Sequence, residues 1–133
     1  MAKILAVDDE LDVLLIVKTT LQSDGYEVET ASNGTDALAL AREISPDLIL
    51  LDIAMPVMDG FETCRRLKAD PATQDIPVIF LTGQGETEIV IQGFELGAVD
   101  YVTKPFEMTE LKARLSLVER AVDGLATRTS LSL

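Results

Sequence analysis

The chain contains no histidine. That absence excludes imidazole acid–base catalysis, His metal ligation and any part as a phosphohistidine donor. Cys64 is the single cysteine, so no internal disulfide can form, and a reducing compartment suits it. Packing on a helix face accounts for Cys64 better than reactivity does. Basic residues are also few: 11 Lys and Arg stand against 23 Asp and Glu, a net charge of −12. Such a surface repels a phosphate backbone, so no direct nucleic-acid binding by this chain is expected. No apolar run is long enough to span a bilayer, and no membrane contact is expected. Residues 1–7 enter a strand-like segment without the layout of a signal peptide. A cytoplasmic protein is the resulting expectation.

What remains is a globular composition, 47% apolar and 26% charged over 133 residues, enough for one domain with one core. Strand-like and helix-like segments alternate along it. Ile4 to Val7 is a short apolar run that stops at Asp8-Asp9-Glu10. Leu11, Leu14, Leu15, Val17, Lys18 and Leu21 then recur at helical spacing up to Gly25. Glu27 to Ala31 alternates like a strand near a sheet edge. Ala37, Leu38, Ala41 and Ile44 form a second helical face, entered at Asn33-Gly34 and closed by Pro46. Leu48 to Leu51 is apolar on every side, as a central parallel strand must be, and ends at Asp52. Residues 55–60 form a turn-rich loop before a third helical face at Phe61, Cys64, Arg65, Leu67 and Lys68, and 70–74 form another loop. Residues 77–81 read as a buried strand ending at Thr82. A helix over about 87–96, a short strand at 101–103 and a last helix from about Met108 complete the pattern. Five strands and five helices in strict alternation predict a parallel sheet with helices on both faces.

The chemistry is concentrated where strands end. Asp8 and Asp9 follow the first strand, Asp52 the third, Thr82 the fourth and Lys104 the fifth. In an open α/β sheet the carboxyl ends of parallel strands share one edge, where ligands bind, so these distant residues converge. Crowded carboxylates repel one another unless a cation sits among them. With no His and no available Cys the donors are oxygens, which favours Mg²⁺, or Mn²⁺, over zinc or copper. One carboxylate beside such an ion can attack phosphorus and form an aspartyl phosphate, while a Lys and a Thr hydroxyl engage the phosphoryl oxygens.

Over residues 3–120 the chain resembles the receiver domains of two-component response regulators. The resemblance rests on Ile-Leu-Ala-Val-Asp-Asp at 4–9, Leu-Ile-Leu-Leu-Asp with Met-Pro-x-Met-Asp-Gly across 48–60, Leu-Thr at 81–82 and Lys-Pro-Phe at 104–106. It implies a flavodoxin-like doubly wound α/β fold, with the strand order 2-1-3-4-5 taken over from such proteins rather than read from the residues. It implies that Asp52 is the phosphoacceptor and that Asp9, Asp52 and the backbone carbonyl of Ala54 ligate Mg²⁺, with Asp8 acting through water. Lys104 would pair with the phosphoryl group, across a cis Lys104–Pro105 bond. Thr82 and Tyr101 would be the switch residues. The donor would be a sensor histidine kinase or a histidine phosphotransfer protein, and the output a downstream domain or protein. The chain itself would be a regulatory domain, not an enzyme beyond assisting its own phosphorylation and dephosphorylation. Ala54 and Gln84 occupy positions thought to tune phosphoryl lifetime in the family.

Plainer readings stand beside these. Asp8 or Asp9 could cap the first helix, and Asp59-Gly60 reads as a turn and helix start. Tyr101 could be edge packing, and Thr82 an ordinary strand residue. Leu111, Leu115, Val118, Val122 and Leu125 repeat at heptad-like spacing, so the last helix either begins a dimer seam beyond about Arg120 or frays there. The expected organisation is a receiver domain at 1–120 and a helix end with linker or tail at 121–133. The output would then lie outside this chain, whether the receiver stands alone or was cut from a longer protein. A receiver-fold interaction module working without phosphorylation is the alternative function. A flavin or nucleotide site is disfavoured, because acids rather than glycines follow the first strand.

Overall fold

Alternation with period two builds the sheet. The computed structural model describes residues 2–82, 95, 97, 100–103, 111–113, 115 and 116, with the backbone only at 82, 100, 101 and 103. Its strands are β1 (Lys3–Val7), β2 (Glu27–Ala31), β3 (Leu48–Asp52), β4 (Val78–Thr82) and β5 (Asp100–Thr103). All neighbours pair in parallel in the order β2-β1-β3-β4-β5. Successive side chains of a strand point to opposite faces. Leu5, Val7, Ile49, Leu51, Val78 and Phe80 therefore enter one core, and Ile4, Ala6, Leu48, Leu50, Ile79 and Leu81 the other.

Helices cover both layers. On the first face lie α2 (Gly34–Ile44), through Ala37 and Ala41, and α3 (Gly60–Ala69), through Cys64 and Leu67. On the second lie α1 (Leu11–Ser23), through Leu14, Val17 and Leu21, and the last helix, through the fully buried Leu111 and Leu115. Lys112 of that helix pairs with Asp24 at the end of α1, 3.1 Å away. The pattern of elements predicts a parallel sheet covered on both faces, and the family resemblance the flavodoxin-like strand order; both are found. The edge strand β2 exposes Glu27 and Glu29, charges that discourage further strand addition.

One local detail differs from the sequence reading, and two others sharpen it. Leu11 and Leu15 have helical spacing but are 70% and 65% exposed, because only the narrower stripe of Leu14, Val17 and Leu21 meets the sheet. The second helix ends at Ile44, two residues before Pro46, and its cap Ser45 takes a left-handed φ of 47°. The loop at 70–74 is fastened from α3, where Lys68 Nζ donates to the carbonyls of Gln74 (3.1 Å) and Ile76 (2.7 Å). The expected helix over 87–96, apart from helical Glu95, lies outside the described residues, as do the heptad positions Val118, Val122 and Leu125.

Candidate functional site

Adjacent strands bring the acids together. Val7 of β1 is in register with Leu51 of β3, so the next residues, Asp8 and Asp52, emerge side by side at the carboxyl edge of the sheet. Asp8 is wholly buried and Asp52 is 4% exposed, whereas Asp9 faces solvent. One carboxylate oxygen from each of Asp8, Asp9 and Asp52 lies within 4.8 Å of the others. Charges this close and this buried are costly without a compensating ion. Three hard oxygen donors at that spacing are a group that could hold a divalent cation.

Asp8 is fixed at both ends. Its N–H donates to the Ala31 carbonyl at 3.2 Å, and its Oδ1 accepts the N–H of Glu10 at 2.9 Å. The capping role offered for Asp8 or Asp9 takes a different form here. The N-cap of α1 is Glu10, whose side chain makes no capping bond, and Asp8 instead holds the N–H of that cap residue. Helix α1 starts at Leu11, too far along the chain for either Asp to occupy the cap position.

The loop from β3 to α3 wraps the other side of Asp52. Ile53 donates its N–H to the Leu81 carbonyl at 3.3 Å and accepts at its own carbonyl from Met55 (3.0 Å) and Gly60 (2.8 Å). Ala54 stands exposed between these anchored residues. Val57, at the tip, is fully exposed and takes a φ of 68°, a conformation costly for a β-branched residue. Asp59 caps α3 as expected, accepting the N–H of Glu62 at 2.8 Å, and Thr63 Oγ1 donates to the Asp59 carbonyl at 2.8 Å.

Gly60 does more than start a helix. A Cβ there would overlap the Asp52 carbonyl oxygen and lie 2.7 Å from Ile53 Cα. In the sequence Gly60 reads only as half of the Asp-Gly turn and helix start, which carries no sign of this close approach. Thr82 ends β4 one residue beyond Leu81, the register partner of Asp52, so its backbone reaches the same edge. Tyr101 lies opposite Phe80, and Thr103 opposite Thr82. The side chains of Thr82 and Tyr101, and Lys104 and Gln84 altogether, lie outside what is described.

A doubly wound parallel sheet with convergent carboxylates at its carboxyl edge defines a class of α/β protein that binds its ligands there. Within that class the chain belongs to the response regulator receiver domain family, whose model matches residues 4–116. It is 44% identical over 125 residues to the DNA-binding dual master transcriptional regulator RpaA of a Synechocystis species, covering 94% of this chain and 52% of that protein. It is 49% identical over 117 residues to the phosphate regulon transcriptional regulatory protein PhoB of Pseudomonas aeruginosa, covering 88% and 51%. Among solved structures it is similar to the chemotaxis protein CheY4 of Vibrio cholerae, with a TM-score of 0.85 and 40% identity over 89% of this chain and 98% of that one. The chain thus spans about half the length of these two curated relatives. It is a regulatory signalling domain of the two-component type. Among the described residues no helix is long and apolar enough to cross a membrane.

Proposed function

We propose that this domain takes a phosphoryl group from a phosphohistidine donor onto Asp52 in a Mg²⁺-dependent reaction and so changes the surface it offers to partners. The observation that carries this reading is the convergence of Asp8, Asp9 and Asp52 at the carboxyl ends of β1 and β3 in a member of the receiver family. An oxygen-only donor set suits Mg²⁺, with Mn²⁺ its nearest substitute. Asp9, Asp52 and the Ala54 carbonyl would hold the ion, and Asp8 would act through water. Bound there, Mg²⁺ offsets phosphoryl charge.

The chain's own residues supply the remainder. A carboxylate oxygen of Asp52 attacks phosphorus and the P–N bond of the donor breaks; the proton already on the donor's other ring nitrogen lets the imidazole depart neutral. Lys104 balances charge on the phosphoryl oxygens as a point-charge partner. Thr82 then turns toward the phosphoryl group and Tyr101 follows it inward, a switch driven by new charge. A sensor histidine kinase or histidine phosphotransfer protein is the donor. The output lies in a downstream domain or protein, with the receiver occupying 1–120 and the remainder forming a helix end and tail. The reaction is tested by mixing the protein with acetyl phosphate. Intact mass should gain one phosphoryl group in Mg²⁺, and none in EDTA or in Asp52→Asn. A domain that takes no phosphoryl group from any donor, yet binds its partners unchanged as Asp52→Asn, would instead be an interaction module working without phosphorylation.

A further inference from the structure

The phosphoacceptor is held from behind by a helix that contributes no acid to it. Helix α3 begins at Gly60, whose Cα lies so close to β3 that a Cβ would overlap the Asp52 carbonyl oxygen. The same Cβ would stand 2.7 Å from Ile53 Cα and 2.9 Å from the Asp52 carbonyl carbon, and all three atoms are backbone. Flexible side chains can swing away from such an intruder, but backbone paired into a central strand cannot. Gly60 also donates its N–H to the Ile53 carbonyl at 2.8 Å, beside the bond from Met55. Ile53 is flanked by Asp52 and Ala54, two of the three residues proposed to ligate the metal, one through a carboxylate and one through a carbonyl.

We infer that Gly60 is a positioning residue for the metal site: its missing side chain and its N–H together set the backbone of Asp52 and Ile53. This rests on the metal reading above and extends it to a residue that touches neither ion nor phosphoryl group. Gly34 supplies a built-in comparison. A Cβ on Gly34 would overlap Thr63 Oγ1 of α3 and approach Met58 Sδ of the loop before it at 2.9 Å, side-chain atoms rather than the backbone of Asp52.

The experiment compares wild type, Gly60→Ala and Gly34→Ala by Mg²⁺ calorimetry and urea unfolding. Loss of such support for a metal ligand typically weakens affinity by about 10- to 100-fold. Gly60→Ala should therefore weaken Mg²⁺ binding at least about tenfold. Gly34→Ala should lose stability while keeping wild-type affinity. A second measurement needs no variant: Mg²⁺ should slow hydrogen exchange at the Gly60 amide of the wild type, with the midpoint seen by calorimetry. Wild-type affinity in Gly60→Ala, or equal weakening in Gly34→Ala, overturns the inference and leaves the metal reading standing. A Gly60 amide indifferent to Mg²⁺ does the same if Gly60→Ala fails to fold. A wild type that binds no Mg²⁺ overturns both.

Discussion

Burial separates residues that composition alone treats as equivalent. Asp8 and Asp52 are enclosed while Asp9, beside them, is exposed, so the same side-chain chemistry meets two different surroundings. Cys64 shows how burial acts on another ionisable group. Enclosure raises its thiol above the ordinary value of 9.0, against a smaller opposite pull from the positive charge of Lys68. The fold therefore favours the protonated form. That contribution is intact below pH 9.0 and is lost as pH rises past it, when the unfolded thiol ionises and the native one does not. Iodoacetamide should label native Cys64 far more slowly than urea-unfolded protein near pH 9. Equal rates would contradict its enclosure. That Cys64 packs on a helix face was legible in the sequence, because its spacing with Phe61 and Leu67 fixes the face. The role of Gly60 was not, since a close approach between a helix start and a strand end leaves no periodic trace.

Among elements, the strands were the most readable. β1, β3 and β4 are short, apolar on both faces and closed by a polar residue at the carboxyl end, as suits a doubly covered parallel strand whose end lines a site. Helix α1 was less so: Leu11, Leu15 and Ile16 are apolar yet exposed, and only packing decides which apolar stripe is buried. Helix α3 depends on its first turn, where Asp59 holds the Glu62 N–H. Removing that cap as Asp59→Ala should cost about 1 kcal/mol, read from the urea midpoint at unchanged slope. No loss of stability would show the bond to be dispensable. Because α3 backs Asp52, the proposed phosphoacceptor, this cap is a second-hand support of the site as well as of the helix.

For the whole molecule, an ion held by the three acids at one edge would link its binding to folding. A ligand bound only by the native state stabilises it by about 2.7 kcal/mol at a hundredfold excess over its dissociation constant. Wild-type melting temperature should therefore climb with Mg²⁺ and fall again in EDTA. Asp52→Asn should lose most of that climb and, in EDTA, melt no lower than wild type, because one of the crowded charges has gone. A lower melting point for Asp52→Asn in EDTA would mean that the charge itself holds the fold. Convergence of the acids was legible from strand ends alone, since topology carries residues 8, 9 and 52 to a common edge. The distances and the uneven burial were not, because they arise from strand register and from the loop that follows β3.

Of the three carboxylates, only that of Asp52 is proposed to receive the phosphoryl group. Phosphorylating the protein in Mg²⁺, trapping the acyl phosphate with borohydride and locating the reduced residue by peptide mass identifies the acceptor. Homoserine is expected at position 52 alone. Reduction at Asp8 or Asp9, or at no position, would contradict it.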